Sequence, residues 1–240
     1  MKTAIISDIH SNKEALLKAL EVIDKEKPDE IICGGDIVGY ASEPKECLKL
    51  LKKRKIKSIK GNHEDALINK EHLDSFNDHA KKAIFWTKKQ LNKKAQNYLA
   101  ELPLTISAND FVLTHSGLYE PDEWHYITTI DEAEASFKLL NKKICFFGHT
   151  HVPGIFDSKG TYKPITEGVY SLANIKKCMI NVGSIGQPRD RDTRACFVIY
   201  DSEKQEVTFF RVAYNLKKTQ TKILKAGLPV FLSERLESGQ

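Results

Sequence analysis

Long apolar runs are missing from this chain. None approaches the ~20 residues of a membrane-spanning helix, so a membrane partner is not expected. Cysteine is scarce, and its pattern is uninformative. There are five, an odd number, and no two stand at the short spacing of a zinc ribbon or a redox motif. That excludes a disulfide framework and short thiolate metal motifs, and it suits a reducing, cytoplasmic setting. Met1-Lys2-Thr3 leads directly into an apolar run, so no targeting peptide is expected. Repeats, low-complexity tracts and linker-like stretches are also lacking, and residues 1–240 read as one domain. Neither sign of charge dominates: 37 Lys and Arg against 32 Asp and Glu leave +5. Such an excess can help attract an anionic substrate, but it falls short of a nucleic-acid footprint. The densest basic run, Lys52 to Lys57, sits at a helix end and reads as a solvated face. Nucleic acid is therefore not an expected partner, and a homo-oligomer is compatible with the composition.

What is present is an alternation of strands and helices. Residues 3–7 form a short apolar strand pattern. Asn12 can cap a helix whose Leu16, Leu17, Leu20 and Ile23 follow a 3.6-residue period, and Pro28 stops it. Glu30 to Cys33 make a second strand, Pro44 opens a helix through Leu48 and Leu51, and Ile56 to Ile59 make a third strand. Residues 65–102 are expected to be helical, with Phe76, Ala80, Ala83, Ile84, Thr87 and Leu91 on one face. Strands are expected at 105–107, 111–114, 144–147, 154–156, 169–172, 178–182, 195–200 and 206–212. Helices are expected near 131–140, 216–225 and 229–237. The fold class is α/β, in which ligands bind beyond the carboxyl ends of strands.

Polar residues gather at those ends. Asp8 and His10 follow the first strand, Gly34-Gly35-Asp36 the second, and Gly61-Asn62-His63-Glu64 the third. His115 follows the strand at 111–114, and Gly148-His149-Thr150-His151 follows the one at 144–147. Asp8, His10, Asp36, Asn62, His115, His149 and His151 offer carboxylate, imidazole and amide oxygen, with no thiolate. Mixed nitrogen and oxygen donors suit divalent Mn, Fe, Zn, Co or Ni better than Ca or Mg. Seven donors exceed the needs of one zinc ion, and they suffice for two ions sharing one carboxylate, here Asp36. Such a pair lowers the pKa of a bound water towards ~7 and clamps a phosphoryl group. The Asp8/His10 and His149/His151 pairs are spaced by two, which on extended chain points both side chains one way. That spacing is compatible with both rings on one ion and with one ring on each. His72, His79 and His125 fall in helix or loop and read as structural.

Together, Asp8-x-His10, Gly35-Asp36, Gly61-Asn62-His63-Glu64, His115 and Gly148-His149-x-His151 resemble the signature of the calcineurin-like metallophosphoesterase superfamily. Phe76-Asn77 with Trp86-Thr87, the stretch Asn181 to Asp190, and the ending Gly227-Leu228-Pro229 with Glu234-Arg235-Leu236 are similar to its compact bacterial and archaeal branch. The resemblance implies a four-layer α/β/β/α sandwich of two mixed sheets flanked by helices. It implies Asp8, His10 and His151 on a first metal, Asn62, His115 and His149 on a second, and Asp36 between them, with Mn favoured. It also implies that His63 faces the substrate, oriented by Asp8 or Glu64. Arg189 is then placed to contact phosphate, against the alternative of a surface salt bridge to Asp190 or Asp192. Val182 stands where the family commonly has proline, which predicts a looser turn without loss of a ligand.

The function implied is hydrolysis of phosphodiesters or phosphomonoesters, with a small molecule or nucleotide as substrate. The alternative is a non-catalytic scaffold on the same fold, which the presence of His63 disfavours. Phe85, Trp86, Tyr119, Trp124 and Tyr126 lie in stretches that could wall the site, and buried packing is the expectation for them.

Overall fold

The computed structural model describes residues 1–240. One six-stranded sheet contains β1 (Lys2–Ile6), β2 (Glu30–Cys33), β3 (Lys57–Ser58), β9 (Gly168–Ser171), β11 (Ala195–Asp201) and β12 (Glu206–Val212). Its order is β3-β2-β1-β11-β12-β9. The other six-stranded sheet contains β4 (Thr105–Ser107), β5 (Phe111–Thr114), β6 (Ile144–Phe147), β7 (Gly154–Asp157), β8 (Thr161–Pro164) and β10 (Cys178–Asn181), in the order β4-β5-β6-β10-β7-β8. Both sheets are mixed. The trio β3-β2-β1 is parallel, as is the trio β5-β6-β10, and the remaining pairings are antiparallel.

Alternation along the strands divides the core. Ile5 of β1, Val198 of β11 and Phe146 of β6 join the cluster between the sheets. Their neighbours Ala4, Ile6 and Phe197 face the helices instead, and Cys145 and Phe147 face the opposite outer layer. Period-two side chains therefore give strands buried on both faces, which is why their sequences are continuous apolar runs. The helices α1 (Lys13–Glu26) and α2 (Pro44–Lys53) cover one sheet. The helix α7 (Ile130–Leu139) covers the other. This is a four-layer α/β/β/α sandwich, and all five cysteines are free and buried in it. No helix is long and apolar enough to cross a membrane.

Residues 65–102 are helical as expected, and two features were not anticipated, their division into segments and one strand. Residues 65–102 are not one helix. They form the end of α3 (Asn62–Ala66), then α4 (Lys70–Asp74), α5 (Asp78–Gln90) and α6 (Lys93–Ala100). Asn69, Asn77 and Asn92 accept from the backbone amides of Glu71, Ala80 and Ala95, so each N-caps a new helix. The apolar face at Ala80, Ala83, Ile84 and Thr87 is buried as expected. Strand β8 is exposed throughout and carries no apolar signal. It exists as the return limb of a hairpin with β7. The chain closes with α8 (Leu216–Lys225) and α9 (Val230–Ser238), which pack on each other around Ile223, Leu232 and Leu236.

Candidate metal centre

All seven candidate ligands converge at the carboxyl ends of the two parallel trios. Asp8 and His10 leave β1, Asp36 leaves β2, and Asn62 opens α3 just after β3. His115 leaves β5, and His149 and His151 leave β6. The backbone there is not extended. Asp8, His10, Asp36, His149 and His151 have φ of 54°, 47°, 49°, 65° and 63°. Side chains two apart thus reach the centre through left-handed turns, contrary to the extended-chain argument. The reason is the tightness of the exit loops, which run beside one another. Asp8 N–H donates to Gly35 C=O at 3.1 Å and His10 N–H to Asp36 C=O at 2.9 Å.

The donors fall into two groups that meet at Asp36. Asp8, His10, Asp36 and His151 present ligand atoms all within 4.8 Å of one another, as do Asp36, His115 and His149. Asp36 Oδ2 lies 3.5 Å from His10 Nε2 and 3.4 Å from His115 Nε2. Its other oxygen accepts from His63 N–H at 2.9 Å. Asn62 Oδ1 is 3.0 Å from His115 Nε2.

Whether these residues suit a cation can be tested on their hydrogen bonds. His10 Nδ1 lies 3.2 Å from Val38 C=O, His115 Nδ1 lies 2.7 Å from Gly34 C=O, and His151 Nδ1 lies 2.5 Å from Gln187 C=O. A carbonyl only accepts, so each Nδ1 carries the proton, and a neutral ring then has a bare lone pair on Nε2. His10 Nε2 and His151 Nε2 face each other at 3.1 Å, lone pair against lone pair. His149 Nε2 is buried and unpartnered. A cation resolves both faults.

The electrostatics agree. Burial raises the Asp36 carboxyl, but His115 and His63 outweigh it and hold it well below the usual range. Burial also opposes ionisation of Asp8, yet His151 and His115 keep its carboxyl low. Burial pushes His149 down to about 3 and His63 to about 4, and it also lowers His10 and His151. His115 loses to burial but gains more from Asp36, and rises to about 9. Ionised carboxylates among mostly neutral imidazoles leave an anionic, dehydrated pocket, a setting that favours a divalent cation.

His63 is a wall of this pocket. Its ring centroid is 4.4 Å from Tyr40, 4.6 Å from His10 and 5.0 Å from Phe76. Neither Asp8 nor Glu64 is bonded to it. Glu64 instead accepts from the amides of Asp36, Val38 and Gly61 at 2.7, 3.1 and 3.0 Å, fixing the loop that carries Asp36. Burial and the Asp36 charge push its carboxyl up to about 8. Arg189 makes no pair with Asp190 or Asp192. Asp190 is bonded to Arg211, and Asp192 to Arg194. The Arg189 fork reaches Gln187 Oε1 at 3.2 Å and Tyr40 Oη at 3.4 Å. The turn at Val182 is tied rather than loose. Its N–H donates to Phe147 C=O at 2.9 Å, a bond that proline cannot make, and Asn181 Oδ1 accepts from Gly183 N–H at 2.9 Å.

A cleft of about 360 Å³ opens beside the cluster, lined by Asn62, His149, Tyr40, Phe76, Trp124 and Tyr126 among others. Trp124 is buried against His115, but Tyr126, Tyr119 and Phe85 are 54%, 45% and 53% exposed, against the expectation of buried packing. Tyr126 stands 4.2 Å from the His149 ring. Tyr40 escaped notice in the sequence. Its only signal is its place four residues after Asp36, on the same loop. His72 also lines the cleft and is held by Asp65.

A family description, the calcineurin-like phosphoesterase superfamily domain, matches residues 1–205. The chain belongs to that superfamily, whose activity is phosphoester hydrolysis and whose members generally bind divalent metals. It is 38% identical to the uncharacterized protein MJ0912 of Methanocaldococcus jannaschii, over 99% of this chain and 98% of that one. Among solved structures, a metallophosphoesterase from Sphaerobacter thermophilus is 35% identical, with a TM-score of 0.89 over 100% of this chain and 99% of that one. The hypothetical protein PH1004 from Pyrococcus horikoshii OT3 is 21% identical and shares the fold, with a TM-score of 0.81 over 100% and 98% of the two chains.

Proposed function

We propose that this chain is a dinuclear-metal-dependent phosphoesterase acting on phosphodiester or phosphomonoester bonds. The observation that carries the reading is the position of Asp36 Oδ2, nearly equidistant from His10 Nε2 and His115 Nε2 at 3.5 and 3.4 Å. Asp8, His10 and His151 would hold one cation, Asn62, His115 and His149 the other, and Asp36 would join them. Manganese is the favoured metal. Bound divalent cations supply Lewis acidity and a more acidic water.

The chain's own groups do the rest. Carbonyls accept from Nδ1 of His10, His115 and His151, so each of these rings turns Nε2 towards the pocket. Glu64 sets the Asp36 loop before any ligand arrives, so the carboxylate needs no reorganisation. His63 enters neutral, since burial holds it near 4. A neutral imidazole still has one N–H to give to an oxygen that gains charge. Arg189 adds a planar fork without a carboxylate partner, suited to phosphate oxygens. The substrate is a phosphate ester of small-molecule or nucleotide size, consistent with the adjoining cleft.

The test is metal analysis combined with a panel of mono- and diesters on chelator-treated protein with manganese restored. Turnover should return with the metal, and Asp36→Asn should lose both together. Two full-occupancy ions in Asp36→Asn would overturn the shared-ligand role. A fully loaded wild-type protein inert on the whole panel would overturn the hydrolase reading in favour of a scaffold.

A further inference from the structure

A second guanidinium stands beside Arg189, outside the residues of the family match. Arg235 is on α9, beyond residue 205. Its guanidinium carbon lies 5.9 Å from the Tyr40 ring centroid, the same distance as that of Arg189. Tyr40 itself packs at 4.5 Å on His10 and 4.4 Å on His63. Both cations therefore stand against one aromatic ring, and that ring touches the ligand cluster.

Their mounting is rigid. Arg189 N–H donates to His151 C=O at 3.4 Å, so its backbone is tied to a ligand loop. Helix α9 is docked on the same segment, because Arg191 N–H donates to Gly239 C=O at 2.9 Å. Gly239 has φ of 61°, and a Cβ there would stand 2.9 Å from the Arg191 carbonyl carbon. That close approach needs glycine. Phe231 also packs on Arg235, its ring centroid 5.3 Å from the guanidinium carbon.

Neither guanidinium meets an Asp or Glu side chain. Arg194 and Arg211 take the nearby carboxylates of Asp190 and Asp192. Arg189 Nε is buried without any partner, and Arg235 Nε donates to a main-chain oxygen of Gln240, the last residue, which leaves its two terminal nitrogens without a hydrogen-bond partner. The Tyr40 hydroxyl offers Arg189 a neutral acceptor and no charge. Two partly buried like charges side by side are unfavourable unless an anion joins them. Arg235 registers that: burial first, then the Arg189 charge, push it down to about 10.

We propose that Arg189 and Arg235 form an anion subsite that reads a second phosphate group, next to the one at the metal centre. The substrate class is then a molecule with a diphosphate unit, in preference to one with an isolated phosphate. This rests on the phosphoesterase reading above and sharpens it, with Arg235 as the specificity residue.

The first experiment uses manganese-loaded full-length protein at fixed free metal, titrated calorimetrically with inorganic pyrophosphate. Binding should weaken at least roughly tenfold in Arg235→Gln, the loss of one charge-assisted fork. Arg235→Lys, which keeps the charge, should retain part of it. Arg191→Gln removes an exposed cation from the same segment and should change nothing. The second uses manganese-loaded protein at fixed free metal. ADP should compete with an aryl phosphodiester better than AMP does, and Arg235→Gln should erase the difference. Equal pyrophosphate binding in wild type and Arg235→Gln, with unchanged melting temperature, would overturn the subsite. So would equal competition by ADP and AMP in the wild type. Pyrophosphate binding that depends on Arg235, in a protein that turns over no ester, would instead overturn the hydrolase reading and leave the subsite standing.

Discussion

Gly39 is the residue on which the position of His63 depends, and Gly39→Ala is the variant that measures it. Gly39 has φ of 91°, and a Cβ built on it would stand 2.0 Å from His63 Nδ1, 2.9 Å from Cε1 and 3.0 Å from Cγ. Ordinary contact begins at 3.4 Å, so ring or loop must give by about 1.4 Å. The ring has little room, held as it is between Tyr40, His10 and Phe76. Backbone strain at positive φ costs about 1–2 kcal/mol, and overpacking adds about 1–3 kcal/mol. At ~2–4 °C per kcal/mol for a chain of this size, the melting temperature should fall by about 4–20 °C. A misplacement of ~1 Å can lower turnover ~100-fold. The assays are differential scanning calorimetry, metal content, and steady-state hydrolysis of an aryl phosphodiester.

Metal should be retained if the ring moves, because the three atoms nearest the new Cβ all belong to His63, which is not a candidate ligand. It should be lost if the loop moves, because Val38 C=O holds His10 Nδ1 at 3.2 Å. Adding His63→Ala removes the obstacle, so the double variant should recover the packing part of the melting temperature and stay inactive. Wild-type turnover and melting temperature in Gly39→Ala would refute the reasoning. Failure of the double variant to recover would show that the strain lies in the backbone alone.

The chelator-treated protein should lose stability as pH falls from about 6.5 through the windows of His63, near 4, and His149, near 3. The folded rings stay neutral there while the unfolded chain takes up protons, so acid favours unfolding. Manganese should shift the loss to lower pH in a circular dichroism titration, since ion and proton compete for one lone pair. Val182→Pro removes the bond to Phe147 C=O, a loss of about 1 kcal/mol, and should lower the melting temperature by about 2–4 °C. An unchanged melting temperature would mean the turn is held by Asn181 alone.

The strands and the donor set were legible because each rests on short-range signals. Apolar runs ending in glycine and a polar residue identify both a strand and its exit loop. The conformation of those loops was not legible. Asp8, His10, Asp36, His149 and His151 are non-glycine residues at positive φ, a state imposed by neighbouring loops from other parts of the chain. Glu64 could be noticed as a carboxylate but not assigned, since its partners at Asp36 and Val38 are 28 and 26 residues away. Tyr40 and Arg235 meet across nearly the whole sequence, through the docking of α9 rather than any local pattern. The breaks between α3, α4, α5 and α6 were legible in principle. Asn69, Asn77 and Asn92 are capping residues, and helical periodicity on either side masked them.

The two candidate ligand groups draw on both sheets. Asp8, His10, Asp36 and Asn62 leave strands of one sheet, while His115, His149 and His151 leave strands of the other. Below them the layers are held mainly by apolar contact, which resists separation but has little grip against sliding, and the polar ties between them lie at the opposite end, Tyr200 Oη to Asp110 at 2.5 Å and Lys143 Nζ to Gln205 at 2.7 Å. A cation in either group would act as a rivet through both layers at the rim. Each half of the sandwich would then be registered against the other by directional bonds as well as by side-chain interlock. The ion would be a mechanical part of the molecule, and its removal should loosen the rim of both sheets at once, far beyond the loops that touch it.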